Sequence, residues 1–66
     1  MPFNHQKMRE LRLERGIRPE QMAVAIDRSV ASVRLYENGS VPPPMPVVDL
    51  IARVLRVTPS SLVVDP

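Results

Sequence analysis

The sequence predicts an all-α fold: a compact bundle of five short helices in a single domain spanning 1–66. Three observations carry this. Apolar residues recur at spacings of three and four and nowhere alternate as they would in a strand. Capping residues stand ahead of these stretches, and glycine or proline follows them. Two of the short helices are joined by only Asp27-Arg28-Ser29, which is the spacing of a helix-turn-helix. A chain of this length buries only about 60% of its unfolded surface, so its stability is expected to be modest.

Helix 1 is predicted from Asn4 to about Arg15. Asn4 is a suitable N-cap, and Phe3 and Met8 stand at the two positions of a hydrophobic staple. Met8 and Leu11 give the apolar stripe, Gly16 ends the helix, and Ile17 is expected to enter the core. Helix 2 starts near Pro19, because proline at the first helical position leaves no N–H unpaired. Met22, Ala23 and Ile26 form its inner face, and small Ala23 lets the next helix cross closely. Asp27 occupies the turn, where a positive φ is needed and aspartate accommodates it less well than glycine.

Helix 3 is the stretch around which the rest is organised. Ser29 is its N-cap and Gly39 its stop. At about 100° per residue, Val33 and Tyr36 fall on one side and Ala31, Arg34, Leu35 and Asn38 on the other. Val30 and Glu37 lie at the boundary. One face can pack on the core while the other offers small and basic side chains to a partner, the requirement for a helix lying in a DNA major groove. The reading helix is thus expected at about 29–38. Taken alone, a short amphipathic helix of this kind is more often purely structural; the helix before it changes the balance.

After Gly39 the segment 40–46 holds four prolines, at 42, 43, 44 and 46. It cannot be helix interior and reads as a stiff connector, with Pro46 opening helix 4. Helix 4 runs to about Arg56 with an apolar face of Val47, Leu50, Ile51, Val54 and Leu55. Asp49 and Arg53 are spaced to pair on its outer side. Thr58 caps helix 5, Pro59 opens it, and Leu62 with Val63 or Val64 anchors it.

The formal charge of +2 is unevenly distributed. Lys7, Arg9, Arg12, Arg15, Arg18, Arg28 and Arg34 lie in the first 34 residues, and only Arg53 and Arg56 follow. Basic charge gathered on the helix-turn-helix half is the electrostatic footprint of a nucleic-acid binder. Glu10, Glu14 and Glu20 interleave with it, which also suits a merely solvated face.

The composition argues against other classes. There is no cysteine for a disulfide or a thiolate metal site. His5 is the only histidine, without a second ligand nearby in the sequence, and is expected on the surface. No nucleophile, base and orienting group stand in a recognisable pattern, and there is no glycine-rich phosphate loop, so no enzyme activity and no cofactor are expected. No apolar run approaches the roughly 18 residues of a membrane span, and no signal region follows the N-terminal charges. The expected location is cytoplasmic, in a bacterial or phage-encoded protein, with no separate small-molecule ligand domain.

Four segments carry a resemblance. They are Met-Arg-Glu-Leu-Arg-Leu-Glu-Arg-Gly-Ile at 8–17, Glu-Gln-Met-Ala at 20–23, Tyr-Glu-Asn-Gly at 36–39, and Val-Leu-Arg-Val-Thr-Pro-Ser-Ser-Leu at 54–62. With them the chain resembles, from about Lys7 to Val64, the lambda-repressor-like helix-turn-helix domain, the XRE or Cro/C1 family. The resemblance implies a salt bridge between helices 1 and 3 from Arg12 and Glu37. It implies phosphate contacts from Ser29, Asn38 and the backbone near Gly39, and base-edge contacts from Val30, Ala31, Arg34 and Leu35. Ser32 is a weaker base reader. Arg18-Pro19 stands where the family often has Thr or Ser followed by Gln, so Arg18 or Gln21 is expected to replace that phosphate anchor. Lys7, Arg28 and Ser40 complete the expected phosphate set.

The expected function is therefore sequence-specific binding of double-stranded DNA by a transcriptional regulator of the phage repressor, Cro or antitoxin type. It is expected to act as a homodimer, with Leu62-Val63-Val64 supplying spare apolar surface. The alternative is a protein-interaction module on the same fold, docking a partner protein through Leu35, Val41 and Met45.

Overall fold

The computed structural model of the protein describes residues 2–63. It contains four α-helices, α1 (His5–Glu14), α2 (Pro19–Ile26), α3 (Val30–Glu37) and α4 (Met45–Leu55), followed by a 3₁₀ turn at Pro59–Leu62. The expected count of five helices is thus corrected to four. After Leu62 the backbone of Val63 is extended, at φ −114° and ψ 138°, and forms an isolated antiparallel bridge with Phe3. The Asn4 N–H donates to Leu62 O at 2.7 Å beside that bridge. A segment held this way leaves room for one 3₁₀ turn and no more, and Thr58 makes no side-chain cap to it.

The helix starts follow the side chains available. The Asn4 carboxamide accepts from the Lys7 N–H at 3.1 Å, and Phe3 packs against the core that holds the fully buried Met8. Gln21 Oε1 accepts the Arg18 N–H at 2.8 Å, half of a capping box at the head of α2. Ser29 Oγ accepts the Ser32 N–H at 3.0 Å at the head of α3. α4 begins one residue earlier than Pro46, at Met45, with Pro44 as its extended N-cap. Pro46 is accommodated because the first-turn N–H groups lack intrahelical acceptors in any case.

All four α-helices end with the same turn. A left-handed residue, Gly16 (φ 64°), Asp27 (φ 56°), Gly39 (φ 81°) or Arg56 (φ 60°), lets the next N–H fold back five residues. Ile17 donates to Arg12 O, Arg28 to Ala23 O, Ser40 to Leu35 O and Val57 to Ala52 O, at 3.0–3.1 Å. This is the Schellman closure, which satisfies carbonyls that a helix end would otherwise leave open.

The core lies where α4 crosses α2 and the 3₁₀ turn, with α1 and α3 closing one side. Met8, Met22, Ile26, Val33, Ile51, Leu55 and Leu62 are fully buried. The inner face of α4 is rotated from the expected one: Val48 and Ala52 are buried, while Leu50 and Val54 sit half-exposed at its flank. Ile17 is likewise half-buried against the core. The ion pairs among the described residues are Arg12–Glu37 and Arg15–Glu14. Asp49 and Arg53, expected to pair, stay apart on the exposed side of α4. No described helix is long and apolar enough to cross a membrane.

Candidate nucleic-acid interface

α3 is anchored on one side and bare on the other. On the inner side Val33 and Tyr36 are buried, and Glu37 is held by Arg12 of α1. Arg12 Nε donates to Glu37 Oε2 at 2.6 Å and Nη2 to Oε1 at 3.0 Å, while Nη1 donates to Ile17 O at 2.8 Å. With side-chain exposures of 8% and 9%, the two groups are withdrawn from water, and the guanidinium reaches the carboxylate in the two-pronged geometry that suits a planar fork. No buried side-chain nitrogen or oxygen among the described residues lacks a hydrogen-bond partner. The pair therefore does two things: it fixes α3 against α1, and through Ile17 O it ties down the turn leading to α2.

On the outer side Ala31, Arg34, Leu35 and Asn38 are exposed. The Arg34 side chain makes no hydrogen bond or ion pair among the described residues, so its guanidinium stands ready for an outside acceptor. Leu35 is 41% exposed. Val30 is half-buried against the core and presents only part of its side chain outward. Ser32 is half-buried too, and its hydroxyl is in a hydrogen bond with that of Ser29 at 3.0 Å.

The remaining site residues lie on the surface, and several already have local partners. Lys7, Arg18, Gln21, Arg28, Ser29, Asn38, Gly39 and Ser40 are exposed. Ser29 Oγ serves the head of α3, as cap and as donor to Ser32. Arg28 Nη1 donates to Asp27 O at 2.8 Å. Gln21 Oε1 is engaged with Arg18, leaving its amide N–H groups directed elsewhere. The Ser40 N–H goes to Leu35 O and to Asn38 Oδ1, at 3.1 and 2.8 Å, so Ser40 offers its hydroxyl and not its backbone. Two features were not legible in the sequence. The third Arg12 bond, to Ile17 O, required knowing where the chain turns after Gly16. The seating of His5 against Gly39 joins residues 34 apart in sequence, and no periodicity signals it.

Comparison with known proteins agrees with this geometry. The family described as "Helix-turn-helix domain" matches residues 6–62. No curated protein matches the chain in sequence. Among solved structures the chain is similar to the P22 c2 repressor, crystallised with a synthetic operator in the presence of Tl⁺, at a TM-score of 0.87 and 16% identity over 96% of each chain. It is also similar to the restriction-modification controller protein C.AhdI from Aeromonas hydrophila, at a TM-score of 0.81 and 24% identity over 86% of each chain. With the family matched along most of its length and the lambda-repressor-like arrangement of its four α-helices, the chain belongs to the helix-turn-helix domain family.

Proposed function

We propose that the protein is a sequence-specific, double-stranded-DNA-binding transcriptional regulator of the phage repressor, Cro or antitoxin type, and that residues 1–66 form its single DNA-binding domain. The observation that carries this is the two-sidedness of α3. Its inner face is locked by Arg12 and Glu37, and its outer face holds an unengaged Arg34 among small side chains. Such a helix can enter a major groove without giving up core. The P22 c2 repressor, similar in fold, is seen with an operator, which supports the same use here.

In this reading Arg34 donates to a guanine, Val30 and Ala31 touch thymine methyl groups, and Leu35 and Ser32 complete the base-facing set. Lys7, Arg18 and Arg28 neutralise phosphates. The amide of Gln21, the side chain of Asn38, the Gly39 backbone and the hydroxyls of Ser29 and Ser40 fix register. Two copies bind half-sites about 34 Å apart. Leu62 does not drive that pairing, because it is fully buried within one copy; Val63 is half-buried, and Val64 lies outside the described residues. The protein acts in the cytoplasm of a bacterium or a phage-infected cell, by binding and without a catalytic step.

The second reading, a protein-docking module, rests on the exposure of Leu35, Val41 and Met45, at 41%, 42% and 60%. Selection of bound sequences from a random duplex pool, followed by salt titration on the winner, separates the two. A regulator yields a defined operator whose affinity falls steeply with salt, through release of counterions from the phosphates. Failure to enrich any sequence supports the docking module instead. Sedimentation on the selected duplex gives the number of copies per site.

A further inference from the structure

His5 is the first residue of α1, yet its ring lies against the far end of α3. A Cβ added to Gly39 would sit 2.9 Å from His5 Cε1, 3.0 Å from Nδ1 and 3.1 Å from Nε2. The imidazole thus covers the face of Gly39 that a side chain would occupy. With Tyr36, Val41 and Pro42 the two residues line a surface cleft of about 290 Å³. Neither ring nitrogen has a hydrogen-bond partner among the described residues, and none of the partnerless side-chain nitrogens there is buried, so both ring nitrogens reach solvent. Among the described residues the Gly39 N–H has no acceptor, whereas those of Asn38, Ser40 and Val41 go to Arg34 O and Leu35 O.

We propose that His5 and Gly39 form a phosphate-binding subsite for the DNA backbone at the C-terminal end of α3, with the imidazole as its principal donor. The inference rests on the DNA-binding reading above. The end of α3 by itself is a poor place for a phosphate, because carbonyls leave the C-terminus of a helix partly negative. α1 corrects this by bringing its own N-terminus, the positive end of a ten-residue helix, to the same spot. His5 carries that end's ring donor directly over Gly39.

The charged surroundings favour an anion. The cleft is lined by no carboxylate; Tyr36 is its other titratable group, and the segments Pro2-Phe3 and Val41-Pro42 bring no charge. Glu37, next to Tyr36, is held by Arg12. On α1 itself Lys7 and Arg9 are exposed within one turn of His5, with Glu10 beyond them.

The test uses the full chain and its selected duplex, with affinity read across a salt titration. His5→Ala should bind about tenfold more weakly while keeping the sequence preference, and His5→Lys, which places a fixed charge at the same spot, should bind at least as tightly as the parent with a salt slope steeper by about one. Melting temperatures of the variants distinguish loss of the contact from loss of fold, and His5→Lys carries the test alone if His5→Ala unfolds. A folded His5→Ala protein with the parent's affinity overturns the subsite, as does a His5→Lys protein whose salt slope matches the parent's. A parent that binds no duplex overturns the DNA-binding reading itself.

Discussion

The two faces of α3 are built on opposite principles. The inner face holds Val33, Tyr36 and the Glu37 carboxylate, and both oxygens of that carboxylate accept from Arg12. The outer face holds Ala31, Arg34 and Leu35, and Arg34 has no partner at all among the described residues. A buried charge without its counter-ion is costly, so the inner face tolerates little change. An exposed arginine costs little in either state, so the outer face is free to vary with what it reads. The difference teaches that stability and recognition are separable on one eight-residue helix, and substitutions on the two faces should report on different properties.

The largest effect is expected from Glu37→Ala. It leaves the Arg12 guanidinium buried with only Ile17 O to meet it, and should cost about 3–5 kcal/mol of stability. In a domain this small that approaches the whole folding free energy. Urea unfolding measures it, and a loss below about 0.5 kcal/mol would mean the pair behaves as a surface contact. Arg34→Ala is the complementary change. Its melting temperature should match the parent, while operator affinity falls by about 1–3 kcal/mol and preference relaxes at one base pair per half-site. If affinity instead falls uniformly over a panel of single-base operator variants, Arg34 touches phosphate and sequence is read through DNA shape.

Lys7→Ala and Arg18→Ala should each give a smaller loss. Both side chains are exposed and placed away from the base-facing side of α3, so they should weaken every duplex alike and reduce the salt slope by about one each. A change in base preference on removing either would blur the division between the two faces.

Much of this division was legible in the sequence, because it depends on local chemistry. The caps at Asn4 and Ser29, the stops at Gly16 and Gly39 and the partition of α3 all follow from residue type and a 3.6-residue period. What escaped the sequence depends on non-local geometry. The inner face of α4 could not be fixed by periodicity, since Val47, Val48, Leu50, Ile51, Ala52, Val54 and Leu55 are all apolar and only packing on α2 selects among them. The last helix shrank to a 3₁₀ turn because Val63 pairs with Phe3 from the opposite end of the chain. The left-handed end at Arg56 carries no sequence signal at all.

That last point leads to the smallest predicted effect, at the joint that aims α3. Asp27 and Arg56 adopt the same left-handed conformation as Gly16 and Gly39 but carry a Cβ. For an ordinary residue the conformation costs roughly 1–2 kcal/mol, less for aspartate, whereas glycine adopts it freely but loses about 0.5–1 kcal/mol more entropy on folding. Arg56→Gly should therefore stabilise the protein by up to about 1 kcal/mol and Asp27→Gly by less. The Asp27 carboxylate has no hydrogen-bond partner among the described residues; its backbone carbonyl accepts from Arg28 Nη1 and its backbone N–H donates to Val24 O. Nothing structural is lost with the side chain. Removing a negative charge beside Arg28 should also strengthen DNA binding, so Asp27→Asn is the control: it removes the charge and keeps the Cβ. Thermal melts of the three variants decide the matter. A gain in Asp27→Gly that Asp27→Asn fails to share assigns it to backbone conformation, and an equal gain in both assigns it to charge.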